Sequence, residues 1–184
     1  MNDSRFQTDT GGSTPADGSR GTARCGGKRR FIAYVVGILV CELAGLLGGL
    51  ATAPAIPTWY AGLTKPSWTP PGWLFGPVWT ALYALMGVAA ARVWLRRRST
   101  PAARRSLGLF GIQLVLNAAW SFLFFGLHSP VLGLADIVVL WAAIAALVAW
   151  WWRLERPAAL LLLPYLGWVS FAAALNAAIW GMNR

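Results

Sequence analysis

Five uninterrupted apolar segments constrain the fold of this chain more than any other feature of its sequence. A membrane-spanning helix needs about 20 consecutive, mostly apolar residues. The apolar segments lie at residues 31–53, 73–95, 106–127, 131–152 and 158–182. Their apolar residues run continuously instead of alternating with polar ones, which argues against a transmembrane β-barrel. The sequence therefore predicts an all-α membrane protein in which residues 31–184 form one compact bundle of five transmembrane helices.

The basic residues lie mainly outside the apolar segments. Of the 16 Lys and Arg, six fall in the first 30 residues and five between Arg96 and Arg105. Because basic residues concentrate in cytoplasmic loops, we expect the N-terminus inside a bacterial cytoplasmic membrane and the Trp59–Pro71 loop outside. The net charge of +10 indicates contact with anionic membrane lipids. It does not indicate nucleic acid, because no nucleic-acid-binding motif is present.

The N-terminal tail, residues 1–30, lacks apolar periodicity. It is rich in Gly, Ser, Thr, Asp and Arg, and a segment of that composition buries too little apolar surface to fold by itself. We therefore expect it to be disordered. The apolar run that follows is too long for the core of a signal peptide, and no clear small-residue cleavage site ends it. It is interpreted as a retained first span.

Three of the predicted helices carry aromatic or amide side chains at helical spacing. Residues four apart share one face of a helix. Such sets occur in the second, third and fifth spans: Trp79 with Tyr83, Gln113 with Asn117, and Trp168 with Ala172 and Asn176. If these faces meet, they form a flat-walled apolar pocket with a few hydrogen-bonding groups. Such a pocket suits a large planar ligand.

Several of these residues also have a purely structural interpretation. Trp and Tyr are enriched at membrane interfaces, and Trp59, Tyr60, Trp68 and Trp73 fall where such a belt is expected. Asn and Gln side chains within spans often only join helices. Spacing alone therefore leaves the role of Asn117 open between a structural tie and a ligand contact.

Two acidic residues, Glu42 and Asp136, lie within apolar spans, where an ionisable group is costly and is a functional candidate. Their presence is compatible with the proton relay of a transporter, with a pair between helices, or with protonated acids bonded to the backbone. The sequence contains no nucleophile elbow, phosphate-binding loop or metal-ligand motif. We therefore predict no catalytic residue, no metal site and no obligatory cofactor.

Four stretches of the sequence together resemble one known family. They are WYAGLTKPSWTPPGWLFGPVWTALY at 59–83, QLVLNAAWSFLFFG at 113–126, ADIVVLW at 135–141 and PYLGWVSFAAALNAAIW at 164–180. In this order they resemble the tryptophan-rich sensory protein family, TspO/MBR. The resemblance extends over residues 31–184 and leaves out the tail.

The resemblance implies a five-helix membrane bundle, often dimeric, with a pocket open toward the loop between the first two spans. It implies porphyrin or haem ligands, such as protoporphyrin IX, and a role in tetrapyrrole sensing, transport or scavenging. By position, it assigns to the pocket Trp59, Tyr60, Trp79, Asn117, Trp168 and Ala172, and it finds Asn176 and Asp136 in family-like contexts. The cholesterol motif of mammalian members is missing, because the C-terminal LNAAIWGMNR has no Tyr followed by Lys or Arg.

The function predicted from residues and resemblance together is the binding of porphyrin-type tetrapyrroles, and of membrane lipids, in a pocket within the bundle. Two alternatives remain open at this point. One is light-dependent breakdown of the bound porphyrin, and the other is proton-coupled transport of a small molecule.

Overall fold

The computed structural model describes residues 18–97 and 100–184, with side chains from residue 28 onward. The helices in this part of the chain are α1 (Gly18–Ala55), α2 (Phe75–Arg96), α3 (Pro101–Ser121), α4 (Pro130–Leu154) and α5 (Arg156–Met182). Each includes a stretch long and apolar enough to cross a membrane, and no strand occurs among the described residues. The predicted fold class is confirmed.

The helix boundaries agree with the predicted spans to within six residues, with the largest differences at α3, except at the start of α1. Residues 1–17 of the predicted disordered tail lie outside the described residues. Residues 18–30 are helical and continue directly into the first span. No proline occurs between positions 16 and 53, so no residue in that range lacks the backbone N–H that a helix requires.

Successive helices run in opposite directions, so the bundle has two distinct ends. The loop end carries residues 61–71, the α3–α4 connection and the C-terminus. The arginine end carries the α2–α3 connection and the α4–α5 turn. Helix α4 packs along α3 and α5, α2 packs against α5, and α1 lies across α2 and α3. The largest fully buried core side chains include Trp151, Tyr165, Met86 and Ile144.

Helices α1 and α2 cross at two glycines. A Cβ atom added to Gly87 would lie 2.4 Å from the Cα of Ile38, and one added to Gly37 would lie 2.5 Å from the carbonyl oxygen of Gly87. Further toward the loop end, the ring of Tyr83 occupies the space beside Gly45. Glycine is required at these positions because the two backbones are almost in contact.

Both α1 and α3 end in a wider, π-helical turn, at Ile56–Tyr60 and Phe122–Gly126. In the first, Pro57 has no backbone N–H to donate, and the Thr58 hydroxyl donates to the carbonyl of Pro54 at 2.9 Å. These turns bring Tyr60 to 5.5 Å from Phe125, measured between ring centroids. Proline and π-turns therefore shape the loop end of the bundle.

The loop segment, residues 61–71, is fastened to α5. The backbone N–H of Thr64 donates to Asn183 Oδ1 at 2.9 Å, and Asn183 Nδ2 donates back to the Thr64 carbonyl at 2.9 Å. The ring of Trp68 meets Phe171 edge-on at 5.7 Å. This segment, called the strap below, therefore lies across the loop end of the bundle and is held in place by these contacts.

Candidate ligand-binding cavity

A cavity of about 710 Å³ occupies the loop-end half of the bundle. Its wall is built from α1, α2, α3 and α5, together with both π-turns and the loop segment. In the described part of the chain, α4 contributes no lining residue, because α4 lies behind α3 and α5. The volume is within the range of about 300–1,000 Å³ that small-molecule sites occupy.

Seven of the eight residues predicted to bind a ligand line this cavity: Tyr60, Trp79, Tyr83, Asn117, Trp168, Ala172 and Asn176. Trp59 does not. Its ring stacks on His128 at 4.8 Å and meets Phe124 edge-on at 5.5 Å. Neighbouring residues of a helical turn point in different directions, so Trp59 and Tyr60 do not share a face. Ligand binding by the seven lining residues remains a prediction.

Two aromatic groups form part of the wall. On α2, Trp79 stacks on Tyr83 with ring centroids 5.4 Å apart. On α5, Trp168 lies 5.6 Å from Phe171 and 5.8 Å from Phe75. Phe75 and Phe171 were not among the residues predicted from the sequence. Phe75 lies four residues before Trp79 and so extends the same helical stripe, a signal that was available.

A buried hydrogen-bonded network lies behind this wall. The Tyr83 hydroxyl donates to Asn117 Oδ1 at 2.5 Å, Asn117 Nδ2 donates to the Tyr165 hydroxyl at 3.0 Å, and that hydroxyl donates to Gln113 Oε1 at 3.0 Å. The network joins α2, α3 and α5. Since both ends of its amide are engaged, Asn117 acts as a helix tie, and one of its N–H bonds remains for a ligand.

Asn176 has a similar double role. Its Oδ1 accepts a hydrogen bond from Trp120 Nε1 at 3.2 Å, and its Nδ2 donates to the carbonyl of Pro130 at 2.7 Å. The side chain therefore joins α5 to α3 and to the first residue of α4. Asn176 is buried, yet it still forms part of the cavity wall.

The two intramembrane acids occupy different places. Glu42 lines the cavity beside Gly45 and Leu46 of α1. Asp136 is buried on α4 and does not line it, and among the described residues its Oδ2 has no hydrogen-bond partner. The cavity therefore presents one of the two acids to a ligand.

Lys65 supplies a positive charge at the rim. Its ammonium group donates to the carbonyl oxygens of Tyr60 at 2.8 Å, Leu63 at 2.9 Å and Ala61 at 3.3 Å. Tyr60 ends the π-turn of the first span, and Ala61 and Leu63 belong to the start of the loop segment, so the Lys65 ammonium group joins the two. Among the described residues that line the cavity, Lys65 and Glu42 are the charged ones. The cation lies at the loop end and the carboxyl group lies deeper.

Metal binding has no visible basis in the part of the chain that the structure describes. There, no group of three or more His, Cys, Asp or Glu side chains is close enough to hold an ion. The described lining residues also include no His or Cys. The chemistry of this wall is therefore aromatic stacking, apolar contact, a few hydrogen bonds and two charges.

Five membrane-length helices define a multi-pass integral membrane protein, and four of them line an apolar cavity. Comparison with known families agrees: the sequence model of the TspO/MBR family matches residues 37–181. The chain belongs to the TspO/MBR family.

Named relatives span bacteria, archaea and animals. The chain is 43% identical over 155 residues to the tryptophan-rich protein TspO of Chlorobaculum tepidum, covering 84% of this chain and 98% of the relative. It is 45% identical over 153 residues to the tryptophan-rich protein TspO of Archaeoglobus fulgidus, covering 83% and 98%. It is 44% identical over 127 residues to the human translocator protein, covering 68% and 75%.

Proposed function

We propose that the cavity binds a porphyrin-type tetrapyrrole and that the protein acts in tetrapyrrole sensing, transport or scavenging. The observation that supports this best is the pair of aromatic surfaces, Trp79 with Tyr83 and Trp168 with Phe171, on the wall of one apolar cavity. Flat π-systems stack favourably on such surfaces. In the membrane, the arginine end would face the cytoplasm of a bacterial cell, following the basic residues gathered there.

The polar groups of the cavity suit a porphyrin that carries its carboxylates on one edge. Lys65 at the rim attracts carboxylates, and Glu42 deeper in the cavity repels them. The macrocycle would therefore enter with its apolar edge first and keep its carboxylates at the loop end. The proposal concerns recognition of the ring and of its carboxylates.

Filling the cavity should abolish most of the binding without disturbing the helix ties. We expect Ala172→Phe to weaken protoporphyrin IX binding by at least about tenfold, since a ring placed in the cavity competes for the space of the ligand. The measurement is an equilibrium titration in detergent micelles that follows quenching of tryptophan fluorescence. Ala174→Phe is the matched control, because Ala174 is exposed on the same helix and does not line the cavity. Equal affinity of the two variants would contradict the proposed site.

Removing the rim charge should affect only ligands that carry carboxylates. We expect Lys65→Met to weaken protoporphyrin IX binding by about fivefold to tenfold, in line with a solvent-accessible charge pair of about 1 kcal/mol. The uncharged dimethyl ester of the same porphyrin should bind both proteins equally. A parallel loss for acid and ester would show that Lys65 acts through the loop and not through its charge.

A further inference from the structure

The cavity wall has a gap between α1 and α2 at the loop end. Several residues that line the cavity are exposed: Leu46, Gly49 and Ala53 on α1, Ile56 in the π-turn that follows it, and Gly72, Gly76 and Thr80 in and before α2. Within each set they recur at intervals of three or four residues, so each set forms one edge of its helix. Leu46 remains 62% exposed and Ile56 44% exposed, so the two helices do not close over the cavity along these edges.

The course of α1 explains why the gap lies on this side. Toward the arginine end, α1 and α2 touch at Gly37 and Gly87, and the Tyr83 ring fills the space beside Gly45. Beyond that point most residues on the edges of the gap are small, and no described atom lies within 4 Å of a Cβ added to Gly49 or Gly76. On its other side, α1 lies directly against α3, where a Cβ added to Gly48 would be 2.9 Å from Ser121 Oγ.

The alternative entrance, through the loop end, is closed by the strap described above. Asn183 holds both backbone groups of Thr64, and Lys65 binds the carbonyl of Tyr60 at the end of the first span. Trp68 packs on Phe171, which itself lines the cavity. Opening this end would break these contacts together, whereas the gap between α1 and α2 is already open.

We propose that the ligand enters and leaves sideways, from the bilayer leaflet at the loop end, through the gap between α1 and α2, while the strap stays in place. This rests on the proposed function and narrows its ligand class to flat molecules that first dissolve in the membrane. Lys65 lies on the rim at the loop end, so the carboxylates of such a molecule stay near the membrane interface throughout. Only its apolar ring then crosses hydrocarbon.

Two substitutions distinguish entry through the gap from entry beneath the strap. Both variants are studied as the full chain reconstituted in phosphatidylcholine vesicles. Gly76→Phe places a ring in the gap, and Gly111→Phe is its control, because Gly111 is exposed on α3, lines no part of the cavity and also has no described atom within 4 Å of an added Cβ. Asn183→Ala removes the hydrogen bonds that hold Thr64. Protoporphyrin IX is added in vesicles, and tryptophan quenching is followed after rapid mixing.

A sideways entrance predicts that Gly76→Phe slows association and dissociation, each by about tenfold. Slower dissociation is the decisive readout because Gly76 also lines the cavity, and a ring that only took space from the ligand would speed dissociation instead. Gly111→Phe and Asn183→Ala should bind at the wild-type rate. Faster association in Asn183→Ala would overturn the proposal, because it would show entry beneath the strap. Unchanged rates in Gly76→Phe, or a weaker equilibrium affinity without slower association, would also overturn it. Absence of equilibrium binding by the wild type would instead overturn the proposed function, and the entrance with it.

Discussion

Replacing Gly87 by alanine is expected to lower the free energy of unfolding by about 3 kcal/mol, although alanine is the better helix former. The added methyl group would lie 2.4 Å from the Cα and 2.6 Å from the N of Ile38, while ordinary contact begins near 3.4 Å. The colliding atoms are backbone atoms, which cannot rotate away as a side chain can. Helix α1 must therefore move by about 1 Å and lose packing along α2.

The control substitution is expected to change the free energy of unfolding in the opposite direction. Gly111 of α3 is exposed, and a Cβ added there meets no described atom within 4 Å. Gly111→Ala should leave stability unchanged or raise it by up to about 1 kcal/mol through helix propensity. Both variants are compared by reversible unfolding in mixed micelles, followed by far-ultraviolet circular dichroism. Similar stabilities of the two variants would show that the close crossing of α1 and α2 is not a strong constraint.

Replacing Glu155 by methionine is expected to destabilise the arginine end of the bundle by about 2–3 kcal/mol. The buried Glu155 carboxylate accepts hydrogen bonds from Nη2 of Arg92 at 2.7 Å and from Nε of the same residue at 3.1 Å. Arg96 Nε pairs with its other oxygen. The Glu155 carboxylate thus links the end of α2 to the turn between α4 and α5. Removing one member of a buried pair costs about 3–5 kcal/mol, and both arginine side chains reach solvent, which reduces the penalty.

A double-mutant cycle tests whether the loss of stability comes from the ion pair between Arg92 and Glu155 and not from altered packing. Arg92→Met and Glu155→Met should each be destabilising, and the double variant should be more stable than the sum of the two predicts, by about 1–2 kcal/mol. Porphyrin affinity in the folded Glu155→Met protein should remain at the wild-type value, because neither residue lines the cavity. Strictly additive losses of stability in the cycle would contradict a direct interaction between Arg92 and Glu155.

The residues at helical spacing show where prediction from sequence worked and where it stopped. The stripes at Trp79 and Tyr83 and at Trp168 and Ala172 could be found because a helix repeats every 3.6 residues. The partners of Asn117 could not, since Tyr83 and Tyr165 lie 34 and 48 residues away along the chain and meet Asn117 only after α2, α3 and α5 have packed.

Trp59 and Glu155 show two further limits. Trp59 precedes the cavity residue Tyr60 within a π-helical turn, and an assignment by position alone could not tell which of the two rings faces inward. Glu155 lies between two apolar segments with an arginine on either side in the sequence, at 153 and 156. It nevertheless pairs with Arg92, which is 63 residues away.

By itself, the sequence determined the class of the protein. Continuous apolar segments have one low-energy arrangement in a bilayer, the helix, because every backbone polar group must find its partner within the same segment. It also determined the family, through long motifs, and the helix faces that carry the aromatic side chains. Only the tertiary structure decided that these faces enclose one cavity, that α4 is excluded from it, and that it opens between α1 and α2. Those features depend on where helix backbones can touch, at Gly37 and Gly87, and the crossing of two helices is a property of neither helix alone.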